Sequence, residues 1–195
     1  MSSTLPIGTA VLAGLLFTLP LAVPVIDVAF AAEKPLAAEK NPPGDIPDSQ
    51  VFIDYVSPKD GFSLKVPEGW ARTDRANGVS FVDKLDGVVL TRSDAPQPPT
   101  VDSVKKDYVG LLEKEERAVK IDSVKVVNLP AGSAIRIVYS SNSSPNEVTS
   151  KQVRLENQRF LYFKDGKLVA LELYAPQGAD NVDQWKLMSE SFRWR

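Results

Sequence analysis

Asp60-Gly61-Phe62-Ser63-Leu64-Lys65-Val66-Pro67-Glu68-Gly69-Trp70 is the stretch from which the fold can be read. A turn signal, Pro58-Lys59-Asp60-Gly61, leads into apolar residues at every second position: Phe62, Leu64 and Val66. Period-2 spacing bounded by Gly and Pro predicts a β-strand with one buried face. Pro67 has no N–H for a ladder, so the strand ends there or lies at an edge. Trp70 is then placed to fold its ring back over the sheet.

Working outward, residues 51–56 are apolar, β-branched and aromatic, and make a second strand that forms a hairpin with the first. Residues 71–78 are polar and close on Asn77-Gly78, a turn signal. Residues 79–82 and 87–91 read as two further strands around Asp86-Gly87. Thr100 opens a helix as N-cap after a proline-rich loop. Val101, Val104, Tyr108, Leu111 and Leu112 recur at spacings of three and four, with Lys105, Lys106, Asp107 and residues 113–116 between and after them. That pattern predicts an amphipathic helix whose charge run is a solvated face. Residues 121–129 and 134–139 are strands, and 148–163 one long strand or a bent pair. Lys164-Asp165-Gly166-Lys167 is a hairpin turn into a strand over 168–174. A last helix begins with Asp180 or Asn181 as cap and carries Val182, Trp185, Leu187, Met188 and Phe192. The expected class is α+β: a mostly antiparallel sheet of about six strands flanked by helices.

Composition closes off several chemistries. The 195-residue chain has no cysteine and no histidine. Disulfides, thiol nucleophiles, cysteine or histidine metal sites and a Ser-His-Asp triad are therefore excluded. Lys plus Arg number 23 against 25 Asp plus Glu, with no long basic block, so no nucleic-acid partner is expected.

Residues 1–26 carry no charge. Leu5 to Ile26 as a helix would reach about 33 Å, enough to span a bilayer. Pro20 and Pro24 interrupt it, and Ala29 and Ala31 form an Ala-x-Ala pattern that suits cleavage after Ala31. Met1-Ser2-Ser3-Thr4 lacks the usual basic residue. Residues 1–31 are thus a signal peptide, or alternatively an uncleaved membrane anchor. The prolines and Ala-x-Ala favour the signal. Leu12-Ala13-Gly14 resembles the start of a lipoprotein box, but Leu15 stands where the cysteine would be. Residues 32–50, with Pro35, Pro42, Pro43 and Pro47, form a flexible linker, and residues 51–195 the folded domain.

Asp60–Trp70, with its Gly-Phe, alternating apolar residues, Pro and Trp, resembles the opening strand of the PsbP/Mog1 superfamily. So does the turn Lys164-Asp165-Gly166-Lys167-Leu168 with the closing helix that ends Ser189-Glu190-Ser191-Phe192. The stretch 175–183, with Trp185 and Ser191-Phe192-Arg193-Trp194, is more similar still to exported actinobacterial lipoproteins of the LpqN type. The resemblance spans residues 51–194. It implies an α/β/α sandwich and a role in binding or scaffolding, not catalysis. Photosynthetic members sit on the lumenal side of photosystem II and help retain calcium and chloride. Mog1 members bind a small GTPase. No functional residue carries over, since metal sites of photosynthetic members lean on histidine.

Without His or Cys, an active site would need carboxylates, Lys, Tyr, Ser or Arg. Three carboxylate groups present themselves: Asp83 with Asp86, Glu113 with Glu115 and Glu116, and Asp180 with Asp183. Each has a plainer role in a turn, on a solvated face or at a helix start. Asp180-Asn181-Val182-Asp183 lacks the Gly and Glu of a calcium loop. Trp70, Trp185 and Trp194 form either an aromatic binding patch or, more commonly for such residues, core. No cofactor and no metal are expected. The expected function is a non-catalytic, exported domain that binds a partner protein or membrane complex at the outer face of a membrane, its N-terminus a possible membrane contact. The alternatives are a hydrophobic-ligand or lipid carrier, an extrinsic photosystem II subunit in a photosynthetic host, and a carboxylate-dependent hydrolase, for which two carboxylates must converge in a cleft with shifted pKa values.

Overall fold

A computed structural model describes residues 33–195. The signal or anchor expected over 1–31, with Ala29 and Ala31, lies outside the described residues.

The opening hairpin forms as its alternation predicts: β1 (Phe52–Ser57) pairs antiparallel with β2 (Phe62–Pro67). Gly61 takes φ +74 in the turn, a conformation open to glycine. Asp60 accepts from Ser57 Oγ at 2.7 Å. β2 is the middle strand of a three-stranded sheet, because the C-terminal β10 (Arg193–Trp194) pairs along its other side. Pro67 therefore ends a central strand and is not on an edge. Both faces of β2 are covered. Phe62, Leu64 and Val66 enter the core, while Ser63 is also buried and accepts from Arg195 Nε at 2.9 Å.

The second sheet has seven antiparallel strands in the order β3-β4-β5-β9-β8-β7-β6. β3 (Ala71–Arg75), β4 (Gly78–Asp83) and β5 (Asp86–Asp94) form a meander. The chain then crosses by helix to the far edge. β6 (Arg117–Leu129), β7 (Gly132–Asn142), β8 (Arg154–Lys164) and β9 (Lys167–Pro176) meander back until β9 pairs with β5. Among the described residues this sheet of seven strands matches the expected sheet of about six, and the three-stranded sheet was not foreseen. β3 was hidden because every residue of Ala-Arg-Thr-Asp-Arg is exposed on an edge strand, leaving no alternation to read. β8 starts at Arg154, and the residues before it are loop.

The α+β class and the layering hold. One face of the large sheet carries Val88, Leu90, Phe160, Tyr162, Val169, Leu171 and Leu173, packed with the small sheet and α3 (Val182–Ser191). There Tyr162 and Phe192 stack with ring centroids 4.1 Å apart, and Tyr162 OH donates to the Ser189 carbonyl at 2.8 Å. The other face carries Ile135, Ile137, Tyr139 and Leu161 beneath Val104 and Leu112 of the crossing helix. That helix starts with Thr100 and Ser103 capping each other, runs through α1 (Val101–Ser103) and a π segment (Val104–Tyr108), and ends in α2 (Val109–Glu115).

Residues 33–50 do not form the free linker that their composition suggests. Ile46 is 4% exposed and belongs to the main core. Glu33 pairs with Arg117 at 2.7 Å and accepts from Asn142 Nδ2 and Gln152 Nε2, each at 2.8 Å. At the other end, Asn181 Nδ2 donates to the Gly44 carbonyl at 2.8 Å and Asn181 Oδ1 accepts from Ile46 N. Asn181 is the first residue before α3, but its side chain holds this strap and makes no cap bond. Proline-rich polar sequence lacks periodicity whether free or docked, so only the partner residues reveal the docking. Asn142, which with Ser143 and Ser144 matches the Asn-x-Ser pattern of a glycosylation acceptor, is buried, its amide spent on Glu33, Lys34, Leu36 and Arg154.

Candidate functional site

The crossing helix packs over β6, β7 and β8, and leaves the same face of β5 and β9 uncovered. A cleft of about 510 Å³ opens there. Its walls are mainly apolar, from Val89 of β5, Leu111 and Leu112 of α2, and Leu168 and Ala170 of β9, with Thr91 and Ser93 of β5 adding hydroxyls. Leu111 stands at the mouth, 54% exposed. Arg75 and Glu115 lie at the rim, and Tyr108, Arg159, Glu116 and Glu172 supply the polar floor. A second groove, of about 530 Å³, shares Arg75, Val89, Glu115, Glu116 and Glu172 and continues toward Asn157 and Tyr174.

Strand alternation sets this floor. Val169, Leu171 and Leu173 point into the main core, so Ala170, Glu172 and Tyr174 must face the cleft. Likewise Phe160 and Tyr162 turn inward, and Arg159 turns to the helix side beside Glu172, with which it pairs across the ladder. Arg159 Nη2 donates to Glu116 Oε1 at 2.8 Å and also to Glu172 Oε2. Arg159 Nη1 donates to Tyr108 OH at 3.2 Å. The guanidinium carbon lies 5.8 Å from the ring centroids of both Tyr108 and Tyr139, within cation–π range. The π segment ends on Tyr108 and so falls next to the cleft, a placement common for such irregular turns.

Tyr139 OH lies 2.8 Å from Glu116 Oε1 and 2.6 Å from Glu172 Oε1. A phenol has one hydrogen and can donate to one of these carboxylates at a time. A proton on Glu116 satisfies both contacts: Glu116 donates to the phenol oxygen, and the phenol donates to Glu172. Electrostatics agree. Burial, and then the Glu172 charge, push Glu116 up to about 7, against the pull of Arg159. Burial and Glu172 likewise raise the Tyr139 phenol above its ordinary value. For Arg159 burial works against the cation, but Glu172, Tyr139, Tyr108 and Glu116 hold the guanidinium above its usual range.

Of the carboxylates picked out in the sequence, only Glu115 and Glu116 reach the cleft. Glu116 follows the last turn of α2 and swings inward, so the charge run is solvated everywhere except at its end. Asp83 and Asp86 sit at the β4–β5 turn, and Asp180 N–H donates to Asp45. Among the described residues, no group of three or more carboxylates is gathered to hold a metal. Trp185 is core at 5% exposure, while Trp70 and Trp194 lie half-buried against that core, and none of the three lines the cleft. Arg159, Glu172, Tyr139 and Tyr108 were not foreseen. Their one sequence signal is Glu172 in the middle of Leu168-Val169-Ala170-Leu171-Glu172-Leu173, a charge where the strand otherwise reads as buried on both faces.

No family model matches the chain, and no curated protein is significantly similar to it. Solved structures are. Cyanobacterial PsbP (CyanoP) from Synechocystis superposes with a TM-score of 0.56 at 16% identity, over 78% of this chain and 98% of that one. LpqN, involved in cell envelope biogenesis of Mycobacterium tuberculosis, has a TM-score of 0.47 at 12% identity over 75% and 91% of the two chains. A Pseudomonas aeruginosa protein of unknown function has 0.45 at 14% over 69% and 91%. The CyanoP superposition, over most of both chains, shows the fold: the chain has the PsbP/Mog1-like fold.

Proposed function

We propose that this chain is a non-catalytic, exported binding domain that takes a segment of a partner protein or membrane complex into the α2–β5–β9 cleft. One observation carries the proposal: an open cleft with aliphatic walls ends on a floor whose charges are already hydrogen-bonded to one another. Glu116, Glu172, Arg159 and Tyr139 hold each other in place, and preorganised polar groups of this kind fix orientation within an otherwise apolar contact. Neither imidazole nor thiol is available in the chain. An ionic floor disfavours a lipid carrier, whose ligand would have to desolvate it. The apolar N-terminal residues support export, and among the described residues no helix is long and apolar enough to cross a membrane.

The test is a photo-crosslinking amino acid at Leu111 in the native membrane fraction. A discrete adduct should form, vanish when Ala170→Trp fills the cleft, and be absent when the crosslinker is moved to Lys186 on the other side of the sheet. Equal adducts from both positions would refute the proposal.

A second reading is favoured by the Glu116–Glu172 pair, because a carboxyl pushed up to about 7 beside another carboxylate is also the arrangement of a general acid. Turnover of a glycoside or ester by the purified protein, lost in Glu172→Gln, would replace binding with hydrolysis.

A further inference from the structure

The strap ends on a buried acid. Asp86 is 6% exposed, and its Oδ1 has no hydrogen-bond partner among the described residues. Gly44 of the strap lies directly over it. At φ +120 this position suits glycine, and a Cβ there would come 2.8 Å from Asp86 Oδ1 and 2.8 Å from Pro176 Cδ. The strap's own Asp45 stands beside Asp86, with its carboxylate accepting from Asp180 N at 2.8 Å. From there, Ile46 enters the core while Asn181 and Gln184 grip its N–H and carbonyl at 2.6 and 3.1 Å.

We propose that residues 43–50 are a releasable strap, clasped to β5 and α3 while Asp86 is neutral and loosened when it is charged. A carboxylate under Gly44 would be a buried charge with an unpartnered oxygen, and such a group is strongly disfavoured. The charged and titratable neighbours are Asp45 on the strap, Asp83 on β4, Lys84 in the turn and Tyr174 on β9. Asp45 and Asp83 are carboxylates and Lys84 is the one cation among them, so ionisation adds repulsion to desolvation.

The direction follows from linkage. Burial, with Asp83 and Asp45 adding to it and Lys84 opposing it, pushes Asp86 up to about 7 from an ordinary value of 3.8. An acid whose docked pKa is raised favours docking most at low pH, and that preference drains away between the released and docked pKa values. Release should therefore rise roughly tenfold per pH unit from about 4 to about 7 and then level off. The full span is at most about a thousandfold, reached if the freed carboxyl regains its ordinary pKa.

Hydrogen exchange on the full-length chain tests this, with the Ile46 and Asp180 amides followed from pH 4.5 to 8 after correction for intrinsic rates. Both should lose protection about tenfold per unit up to pH 7 and should be far less protected at pH 7 than the Leu171 amide in β9, which opens only with global unfolding. Asp86→Asn should flatten the dependence. Gly44→Ala, which needs no titration, should open the same two amides at pH 5 and expose residues 43–50 to protease. Equal slopes in wild type and Asp86→Asn, Ile46 and Asp180 amides as strongly protected as Leu171 at pH 7, or a Gly44→Ala strap as protected as wild type would each overturn the proposal.

Discussion

Replacing Arg159 by Met should destabilise the protein mainly by leaving two carboxylates without their cation. The Arg159 side chain is 12% exposed, and Glu116 and Glu172 are 21% and 15% exposed. The network is therefore mostly, though not fully, shielded from water. Breaking a buried pair by removing one partner costs about 3–5 kcal/mol, and the remaining exposure places this case near the lower end, about 3 kcal/mol. The methionine keeps the stem's packing, so the change reports the guanidinium and not a cavity. The loss must also depend on pH. At pH 8 both carboxyls face burial without a counter-charge. At pH 5 Glu116, already pushed up to about 7 with Arg159 present, takes a proton, and the penalty should fall to roughly 1–2 kcal/mol. Urea unfolding at the two pH values measures both quantities. A chain of this size shifts its melting temperature by about 2–4 °C per kcal/mol, so pH 8 should show a drop of about 6–12 °C. A loss under about 1 kcal/mol at pH 8, or equal losses at pH 5 and 8, would refute the reasoning that the cleft floor is one coupled, buried ionic unit.

Glu116→Gln should behave oppositely. Because the folded protein holds the Glu116 proton more tightly than the unfolded chain, wild-type stability from this group falls as pH rises from about 4.5 to about 7, and the variant should lack that slope in denaturation followed across the range. Ile46→Ala should lower stability by about 2–4 kcal/mol in urea unfolding, whereas a free linker at residues 33–50 would give no change. Phe192→Ala removes the ring stacked between Phe62 and Tyr162 and should reduce stability by about 3–5 kcal/mol by the same assay, with the β10 amides losing hydrogen-exchange protection first.

Local pattern was sufficient wherever the chain faces one way in and one way out. The hairpin around Gly61, the Thr100 cap, the turn at Lys164-Asp165-Gly166-Lys167 and the strand after it all declared themselves through period or turn chemistry. It failed for β3, which buries no side chain, and for β10, a two-residue strand that exists only because β2 has a free edge beside it. It failed for residues 33–50 because their docking depends on Asn181, Gln184, Arg117 and Asn142, far off in the chain. The charge run on the crossing helix shows both outcomes. Its body is a solvated face, but Glu116 turns inward because the last helical turn stops above Arg159.

The amino-acid sequence alone determined the α+β class, the PsbP/Mog1-like resemblance and the exclusion of thiol and imidazole chemistry, because composition and short-range periodicity are properties of neighbours along the chain. The cleft and the strap were decided only in three dimensions. Glu116, Arg159 and Glu172 come from α2's end, β8 and β9, with Tyr139 of β7 buried behind them, and a return of β9 to pair with β5 is what sets the three around one void. Buried charges are tolerated only where partners already converge, and convergence between residues tens of positions apart is a property of topology, which no local spacing encodes.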